Sequence, residues 1–244
     1  MSNNRVIWLS ASDPPEAFPP VEAALGEPDG LLAAGGDLST ERLLCAYRRG
    51  IFPWYDDGQP LLWWSPDPRC VFRQGDFHLS RRSRRYLRQS TAEVRFNTSF
   101  SEVIRACAAP RAAEPGTWIT PEMIDAYERL HRDGWAHSIE IWQDQALVGG
   151  LYGLAIGRAF FGESMFSVDA NASKMALLAI SRMMDANEFG ILDCQLVSRH
   201  LVSLGASIIA RHEFVAILAT LCSPARRFEN WPSNPISICD LLRG

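Results

Sequence analysis

The clearest hydrophobic pattern in the chain is a pair of apolar runs at residues 147–155 and 158–163. A short turn, Ile156-Gly157, separates them. Two apolar runs joined by a two-residue, glycine-containing turn predict a β-hairpin. The rest of the chain can be interpreted around this hairpin and the segments that follow it, up to residue 204.

A polar loop after the hairpin leads into a predicted helix and a third strand. Asn171 or Ser173 can accept hydrogen bonds from the first turn of a helix over residues 175–184. The apolar run at residues 191–197 then predicts another strand. The whole stretch therefore predicts a strand–helix–strand unit.

Two carboxylates interrupt these apolar strands. Glu163 ends the second run, and Asp193 lies inside the next predicted strand, two residues before Gln195. If that strand is extended, Asp193 and Gln195 leave the same face of the sheet, and the opposite face carries Leu192, Cys194 and Leu196. A buried carboxylate without partners is costly. Asp193 is therefore either a core residue held by backbone donors or an arginine, or a functional group.

Helices and strands on both sides of this unit complete a mixed α/β pattern. A helix over residues 99–108, a helix opened by Thr120-Pro121 and a strand over 138–142 precede it. A helix at 199–204, a strand at 208–211 and a helix at 214–221 follow. The resulting order is typical of an acetyltransferase-like (GNAT-like) domain.

Domains of that type hold the pyrophosphate of coenzyme A on a glycine-rich loop before the central helix. Here the corresponding loop, residues 168–173, contains no glycine. Ordinary coenzyme A binding is therefore not expected.

The first 68 residues differ from the rest, because they are rich in proline, glycine and tryptophan. Ser39 can cap a short helix over residues 42–49 that ends at Gly50. The aromatic residues between Tyr47 and Trp64 are interpreted mainly as core, with a stacking surface as the alternative. We expect an α/β (α+β) fold with a small irregular N-terminal domain at residues 1–68 and an acetyltransferase-like catalytic domain at residues 69–244.

A run of cationic residues follows the domain boundary. Ser80 can cap a helix that carries five arginines within eight residues: Arg81, Arg82, Arg84, Arg85 and Arg88. Such a run is often only a solvated face. Here it carries a single sign of charge, with Arg69, Arg73 and Arg95 near it in sequence, which favours a phosphate-binding patch.

Composition narrows the possible functions. The 244 residues carry a net charge of −4, so any contact with nucleic acid must come from a local patch. The six cysteines show no metal-binding spacing, and no charged-then-apolar leader is recognised at the N-terminus. No apolar run approaches the roughly 20 residues of a spanning helix. We expect a cytoplasmic protein with reduced thiols and no membrane partner.

Eight short segments occur in series along the chain. Residues 31–38, 46–54, 63–69, 116–120, 137–140, 162–167, 171–174 and 193–195 read LLAAGGDL, AYRRGIFPW, WWSPDPR, GTWIT, HSIE, GESMFS, NASK and DCQ. In this order, the series closely resembles the leucyl/phenylalanyl-tRNA–protein transferase family. The resemblance covers roughly residues 7–221, and the tail from Cys222 onward lies outside it.

This resemblance implies a reaction. Enzymes of the family move Leu or Phe, and Met less well, from aminoacyl-tRNA to the α-amine of proteins that begin with Arg or Lys. The transfer marks those proteins for degradation by the N-end rule. The resemblance implies no metal and no cofactor, because aminoacyl-tRNA replaces the acyl-coenzyme. A monomer is expected.

The resemblance also implies site residues. The catalytic positions are Glu163, Asp193 and Gln195. Three aromatic residues are expected near the terminal adenosine of the donor: Tyr47, Trp54 and Trp118. The acyl pocket is expected from Leu151, Phe160, Leu177, Ile180 and Leu192, although for any single one of them ordinary core is nearly as good an interpretation. Leu192 fits least well, because strand alternation puts it opposite Asp193 unless a bulge re-aims it.

The chemistry agrees with these assignments. The donor is an activated ester, so attack by an amine requires orientation more than covalent catalysis. A free α-amine has a pKa near 7.7–8.0, so a modest base suffices. Asp193, with Gln195, is expected to orient and deprotonate the amine, while Glu163 holds the aminoacyl group and could share in proton transfer. The adenosine's own hydroxyl is an alternative base. A tRNA-binding module without turnover and a true acetyltransferase remain alternative functions.

Overall fold

The computed structural model describes residues 6–109, 119–186 and 188–243. Its N-terminal part forms a four-stranded sheet in the order β1-β2-β4-β3, with β1 and β2 parallel and the other neighbours antiparallel. The strands and the helix of this part are β1 (Ile7–Leu9), β2 (Leu31–Gly35), α1 (Thr40–Arg48), β3 (Phe52–Pro53) and β4 (Leu62–Trp64). As predicted, α1 ends before Gly50, which has a φ of +74°.

The remainder builds an eight-stranded sheet in the order β11-β5-β10-β9-β8-β7-β6-β12, antiparallel except for the β9–β10 pair. The elements, in chain order, are β5 (Arg69–Arg73), α2 (Arg81–Leu87), β6 (Glu93–Phe96), α3 (Phe100–Ala108), α4 (Pro121–Arg132), β7 (Ala136–Gln143), β8 (Ala146–Ile156), β9 (Ala159–Ser167), α5 (Ala172–Asp185), β10 (Ile191–Asp193), α6 (Arg199–Ser203), β11 (Ser207–Ile209), α7 (Arg211–Leu221), β12 (Ile236–Ser237) and α8 (Ile238–Leu241). The predicted mixed α/β class and the predicted order from α3 to β11 are confirmed.

Two of the predicted helix starts are confirmed in detail. The Thr120 hydroxyl accepts a hydrogen bond from the backbone N–H of Met123, and the Ser80 hydroxyl accepts one from Ser83. Asn171 is the N-cap of α5, but it has a φ of +73° and its side chain makes no capping bond. The α5 helix therefore starts at the predicted place, without the predicted side-chain cap.

Side chains from successive strand positions divide into two hydrophobic cores, one on each face of the large sheet. Phe161 packs in the first core with α3, α4, α7 and the N-terminal sheet, including Trp63. Phe160 packs in the second core with α5, α8 and the C-terminal tail. Alternation along a strand sends neighbours to opposite faces, which explains this division. Most N-terminal aromatics are core residues as predicted, since Tyr47, Phe52, Tyr55 and Trp63 are all buried.

The C-terminal tail is part of the second core. The Trp231 ring lies against four other rings at centroid distances between 4.5 and 5.9 Å: those of Phe96, His137, Phe189 and Phe228. Strand β12 then pairs with β6 at the edge of the sheet. The tail therefore closes one edge of the sheet and covers part of its face. Among the residues described, no helix has both the length and the apolar character that a membrane crossing requires.

Candidate active site

Glu163 lies at a β-bulge in β9. Gly162 pairs with Gly153 of β8, and Ser164 pairs with the residue before Gly153, so Glu163 has no partner on β8. A bulge bends the strand and re-aims a side chain. Position 153 must be glycine, because a Cβ there would lie 2.1 Å from the carbonyl oxygen of Phe161. Because β9 continues to Ser167, Glu163 lies inside the strand and not at its end, which corrects the sequence-based expectation.

Both carboxylate oxygens of Glu163 receive a hydrogen bond. The Tyr127 hydroxyl donates to Oε2 at 2.9 Å, and the Gln195 amide nitrogen donates to Oε1 at 2.7 Å. The Tyr47 hydroxyl is hydrogen-bonded to that of Tyr127 behind it. Glu163 is only 7% exposed. Its position is therefore fixed by two donors that come from α4 and from the segment after β10.

Burial raises the pKa of Glu163 to about 7. The Tyr47 and Tyr127 hydroxyls and the Gln195 amide, as polar groups near the carboxylate, oppose this shift, and the nearby Asp193 charge adds to it. Burial, followed by the charge of Glu163, raises the pKa of Tyr127 well above its usual value, so its hydroxyl stays protonated as a donor. Glu163 can therefore gain or lose a proton near neutral pH.

Asp193 is held by an arginine in the interior. Arg69 donates from Nε to Oδ1 at 2.8 Å and from Nη2 to Oδ2 at 2.7 Å. Asp193 is 0% exposed and Arg69 is 1% exposed. The guanidinium also packs against the rings of Phe52 and Phe214, with its central carbon 4.9 and 4.7 Å from their centroids. A bidentate pair of this kind fixes geometry as well as charge.

Asp193 and Gln195 do not share one face of a strand, so that expectation is wrong. Strand β10 ends at Asp193, and Gln195 has a left-handed φ of +60°. The turn brings the backbone N–H of Gln195 to Oδ1 of Asp193 at 2.9 Å and its side chain to Glu163. Leu192 points away from Asp193, as alternation requires. Asp193 thus anchors the turn that carries Gln195.

A cavity of about 380 Å³ opens where β10 stops and β9 continues. Glu163 and Gln195, which are hydrogen-bonded to each other, both line the cavity, and the rest of its wall is largely apolar. The lining residues are Phe52, Pro53, Trp54, Leu151, Gly162, Glu163, Ser164, Met165, Leu177, Leu192, Cys194, Gln195, Leu196, Ser198 and Leu201. Such a cavity can hold an apolar group beside a titratable carboxylate.

Several residues predicted for the aminoacyl-adenosine site line this cavity: Trp54, Leu151, Leu177 and Leu192. Trp54 is 37% exposed and packs against Trp64. Tyr47 is fully buried behind Tyr127 and does not line the cavity.

Two other predicted pocket residues stand apart from the cavity wall. Phe160 and Ile180 are fully buried in the second core and do not line it. For Phe160, the reason is strand alternation, which sends its side chain under the sheet toward Phe189. Trp118 lies outside the described residues.

Two residues of the site were not singled out from the sequence. The apolar spacing along α4 places Tyr127 on the core face of that helix, and the sequence places Arg69 only near the basic patch. The sequence feature that indicates a partner such as Arg69 is Asp193 in an apolar strand, because a buried carboxylate needs donors. The sequence does not show which arginine this is, because 124 residues separate the two. Arg73 and Arg95 do not add unpaired charges to the basic patch, because they form ion pairs with Glu213 and Glu93.

Helix α2 and its C-cap residue, Arg88, carry the five predicted arginines. Arg81, Arg82, Arg85 and Arg88 are exposed, Arg84 is half-buried, and none forms an ion pair with a described residue. The exposed ring of Tyr86 lies among them. Unpaired cations on one helix form a local positive surface on a protein of negative net charge.

The described part of the chain contains no cluster of side chains that could bind a metal ion. No three His, Cys, Asp or Glu side chains among these residues cluster as ligands. The titratable groups that remain at the cavity are Glu163 and the Cys194 thiol. Burial raises the pKa of Cys194 well above its usual value, so the thiol stays protonated.

Two family models and a solved structure are similar to parts of the chain. The family model described as leucyl/phenylalanyl-tRNA protein transferase matches residues 71–219, and the model of the N-terminal domain of that transferase matches residues 36–67. Among solved structures, a GCN5-related N-acetyltransferase from Kribbella flavida aligns with a TM-score of 0.33 and 12% identity, over 66% of this chain and 57% of that chain.

Three curated relatives illustrate the similarity, and each is named leucyl/phenylalanyl-tRNA–protein transferase. The protein from Azoarcus sp. (strain BH72) is 59% identical over 86% of this chain and 88% of its own length. That from Pseudomonas aeruginosa (strain PAO1) is 56% identical over 86% of this chain and 92% of its own. That from Azotobacter vinelandii is 57% identical over 81% and 88%.

Proposed function

The chain belongs to the leucyl/phenylalanyl-tRNA–protein transferase family, and from this premise we propose how its cavity performs the transfer and which acceptors it uses. It is a transferase that moves leucine and phenylalanine from aminoacyl-tRNA to proteins. The observation that carries the proposal is that Glu163 and Gln195 meet at the wall of a mainly apolar cavity.

The leucyl or phenylalanyl side chain enters the apolar part of the cavity. Leu151, Leu177 and Leu192 surround it, and Trp54 at the exposed edge stacks on or walls the terminal adenosine. This arrangement leaves the ester carbonyl beside Glu163 and Gln195. The apolar walls also exclude water, which would otherwise hydrolyse the activated ester.

Glu163 is the group that accepts the proton of the attacking amine. Its pKa of about 7 lies close to that of a free α-amine, about 7.7–8.0, so proton transfer between them is nearly balanced. The amine nitrogen of the acceptor bonds to the carbonyl carbon of the ester, and the bond from that carbon to the ribose oxygen breaks. The proton that Glu163 accepted from the amine then passes to the ribose oxygen. An amide and a free adenosine hydroxyl result.

Asp193 acts through position and not as the base. Both of its oxygens are bound by Arg69, and it does not line the cavity. Its role is to hold the turn of Gln195. Gln195 in turn orients Glu163 through its amide. This differs from the role that the sequence alone suggested for Asp193.

The acceptor is a protein with an N-terminal Arg or Lys, and Met is a poorer donor residue than Leu or Phe. The support is the family resemblance of the motif segments. By the same resemblance, the product is a substrate for N-end rule degradation. Because aminoacyl-tRNA is present in the cytoplasm, we place the reaction there. That the protein is a monomer stays a prediction.

The experiment that tests the proposal is mass spectrometry of short peptides. A peptide with N-terminal Arg is incubated with Leu-tRNA, Phe-tRNA or acetyl-coenzyme A, and the same peptide with a blocked α-amine serves as the control. We expect mass gains of one leucyl or phenylalanyl residue with the first two donors only. Acetylation would support a coenzyme A enzyme, and tRNA binding without any gain would support a binding module.

A single isosteric variant tests the role of Glu163. Glu163→Gln keeps the shape of the side chain but cannot accept the proton, so kcat should fall at least about a hundredfold, within the range of general base catalysis. An unchanged kcat would exclude Glu163 as the base and would leave the adenosine hydroxyl as the candidate.

A further inference from the structure

Lys174, the only lysine of the chain, is half-buried at the third position of α5. Its ammonium donates to the neutral Asn171 side chain at 2.7 Å. No carboxylate among the described residues forms an ion pair with it, although Asp169 lies in the preceding loop. A cation at a helix N-terminus is disfavoured by the helix dipole. The protein therefore holds this charge in a place that favours an anion.

A second segment with basic residues, the start of α6, borders the same cavity as α5, because Leu177, Ser198 and Leu201 all line it. Burial, and next the charge of Lys174, lower the pKa of His200. Arg199, the first residue of α6, is exposed and forms no ion pair with a described residue. Two short segments that are distant in sequence thus bring three basic side chains to one region. We call Lys174, Arg199 and His200 the rim cluster.

The rim cluster lies at the edge of the cavity. Leu177, one helical turn after Lys174 and on the same side of α5, lines the cavity. Ser198 and Leu201, which flank Arg199 and His200, line it as well. A ligand that fills the cavity and leaves it past α6 therefore passes these basic groups.

The same helix connects the cavity to the arginines of α2. The backbone N–H of His78 donates to the carbonyl oxygen of Leu204, the residue that ends α6, at 2.9 Å. His78 lies two residues before Ser80, the N-cap of α2. Helix α6 thus borders the cavity near its start and contacts the segment before α2 at its end.

We infer that the rim cluster binds the phosphodiester groups that immediately precede the terminal adenosine of the donor. The inference rests on the proposed function, in which the cavity takes the aminoacyl-adenosine and the positive surface of α2 is available to a more distant part of the same tRNA. The single-stranded end between them carries one negative charge per nucleotide, and charge-assisted bonds to phosphate are the strong ones. Lys174 and Arg199 supply charged donors, and the His200 ring, whose pKa is lowered, supplies a neutral N–H donor.

Donors of three lengths test the inference. They are an aminoacyl-adenosine analogue without phosphate, an aminoacylated trinucleotide that ends in the same adenosine, and complete aminoacyl-tRNA. For Lys174→Ala and Arg199→Ala, kcat/KM should fall about tenfold with the trinucleotide and with tRNA, as expected for loss of one charged hydrogen bond. The fall should be clearly smaller with the phosphate-free analogue. Lys174→Arg, which keeps the charge, should recover most of the trinucleotide activity.

Control variants separate this site from the others. The double variant Arg81→Ala with Arg85→Ala should lower activity with complete tRNA only. Arg243→Ala, which removes an exposed tail cation, should change none of the three. Equal losses with all three donors for Lys174→Ala, or no loss with the trinucleotide, would overturn the inference.

Direct binding keeps the inference testable if the transfer reaction itself is not observed. The dissociation constant of the unacylated trinucleotide is measured by calorimetry at several salt concentrations, with adenosine as the phosphate-free control. Lys174→Ala should weaken trinucleotide binding about tenfold and reduce its salt dependence, while adenosine binding changes less. An unchanged salt dependence would overturn the rim cluster as a phosphate site, whatever the outcome of the peptide assay.

Discussion

The Arg69 guanidinium binds both carboxylate oxygens of Asp193, at 2.8 and 2.7 Å, in a part of the interior that solvent does not reach. The pair joins β5 to the end of β10 and fixes the turn that carries Gln195. Its energetic role follows from this burial, because two ions removed from water stabilise each other only as long as both are present.

Removal of one member of this pair should destabilise the protein strongly. Asp193→Ala leaves the Arg69 charge buried without a partner, and we expect a loss of about 3–5 kcal/mol in the free energy of unfolding. Denaturant titration measures it. The double variant Asp193→Leu with Arg69→Met should recover much of that stability, because two apolar groups replace the ion pair.

The double variant should still transfer poorly, since nothing then holds the backbone N–H of Gln195. If Asp193 were needed only for stability, the double variant would regain activity together with stability. If Asp193 were instead the base, Asp193→Asn would remove the pH dependence of kcat without affecting the KM for the donor.

The buried Glu163 should make stability depend on pH. Its pKa is about 7 in the folded protein and near 4.5 when the chain is unfolded, so the folded state binds more protons between these values. This contribution to stability is fully present below pH 4.5 and is lost as pH rises through 7. The shift corresponds to about 3 kcal/mol.

Glu163→Gln provides the control for this pH dependence, because glutamine does not titrate. The free energy of unfolding of the variant relative to the wild type should increase by about 3 kcal/mol from pH 4.5 to pH 8. Urea titrations of both proteins across that range measure the difference. A constant difference would mean that Glu163 titrates at its ordinary pKa and is not poised near neutrality.

A larger residue at position 177 should change the choice between donors. Leu177 lines the cavity, so Leu177→Phe should fill part of it and reduce phenylalanyl transfer more than leucyl transfer. A hydrophobic pocket separates such substrates by about 1–3 kcal/mol, so a change of about tenfold in the Leu/Phe ratio of kcat/KM is expected. Competition assays with both charged tRNAs measure that ratio.

Ile180→Val is the matched control on the same helix. Ile180 is fully buried in the second core and does not line the cavity, so its variant should lose about 0.5–1.5 kcal/mol of stability without a change in the ratio. A Leu177→Phe protein that folds and keeps the wild-type ratio would remove Leu177 from the acyl pocket.

The arginines of α2 should determine the salt dependence of tRNA binding. When Arg81→Ala and Arg85→Ala are combined, the slope of log K against log salt should become shallower by roughly 1.5, since each lost phosphate contact contributes about 0.7–0.9. Filter binding at several salt concentrations measures it. A slope equal to that of the wild type would show that these arginines form only a solvated face.

Much of the fold follows from local patterns. Thr120 with Pro121 and Ser80 before the arginines predict helix starts that the structure contains, because an N-cap acts within its own turn. The hairpin of β8 and β9 and the helix α5 follow from the spacing of apolar residues. The motif segments also suffice to indicate the family. These features depend on residues that are close together in the chain.

The arrangement of the site depends on the tertiary structure. Strand β10 was predicted to continue past Asp193, since its apolar pattern does, but the turn at Gln195 is held by a carboxylate that itself requires Arg69 from 124 residues away. The bulge that aims Glu163 depends on the pairing of β9 with Gly153. Local propensity contains no information on either contact, because register and burial are decided by packing between distant segments. The sequence by itself therefore determined which residue types are available for the chemistry, and only the folded chain decided that Glu163 lines the cavity while Asp193 supports it from behind.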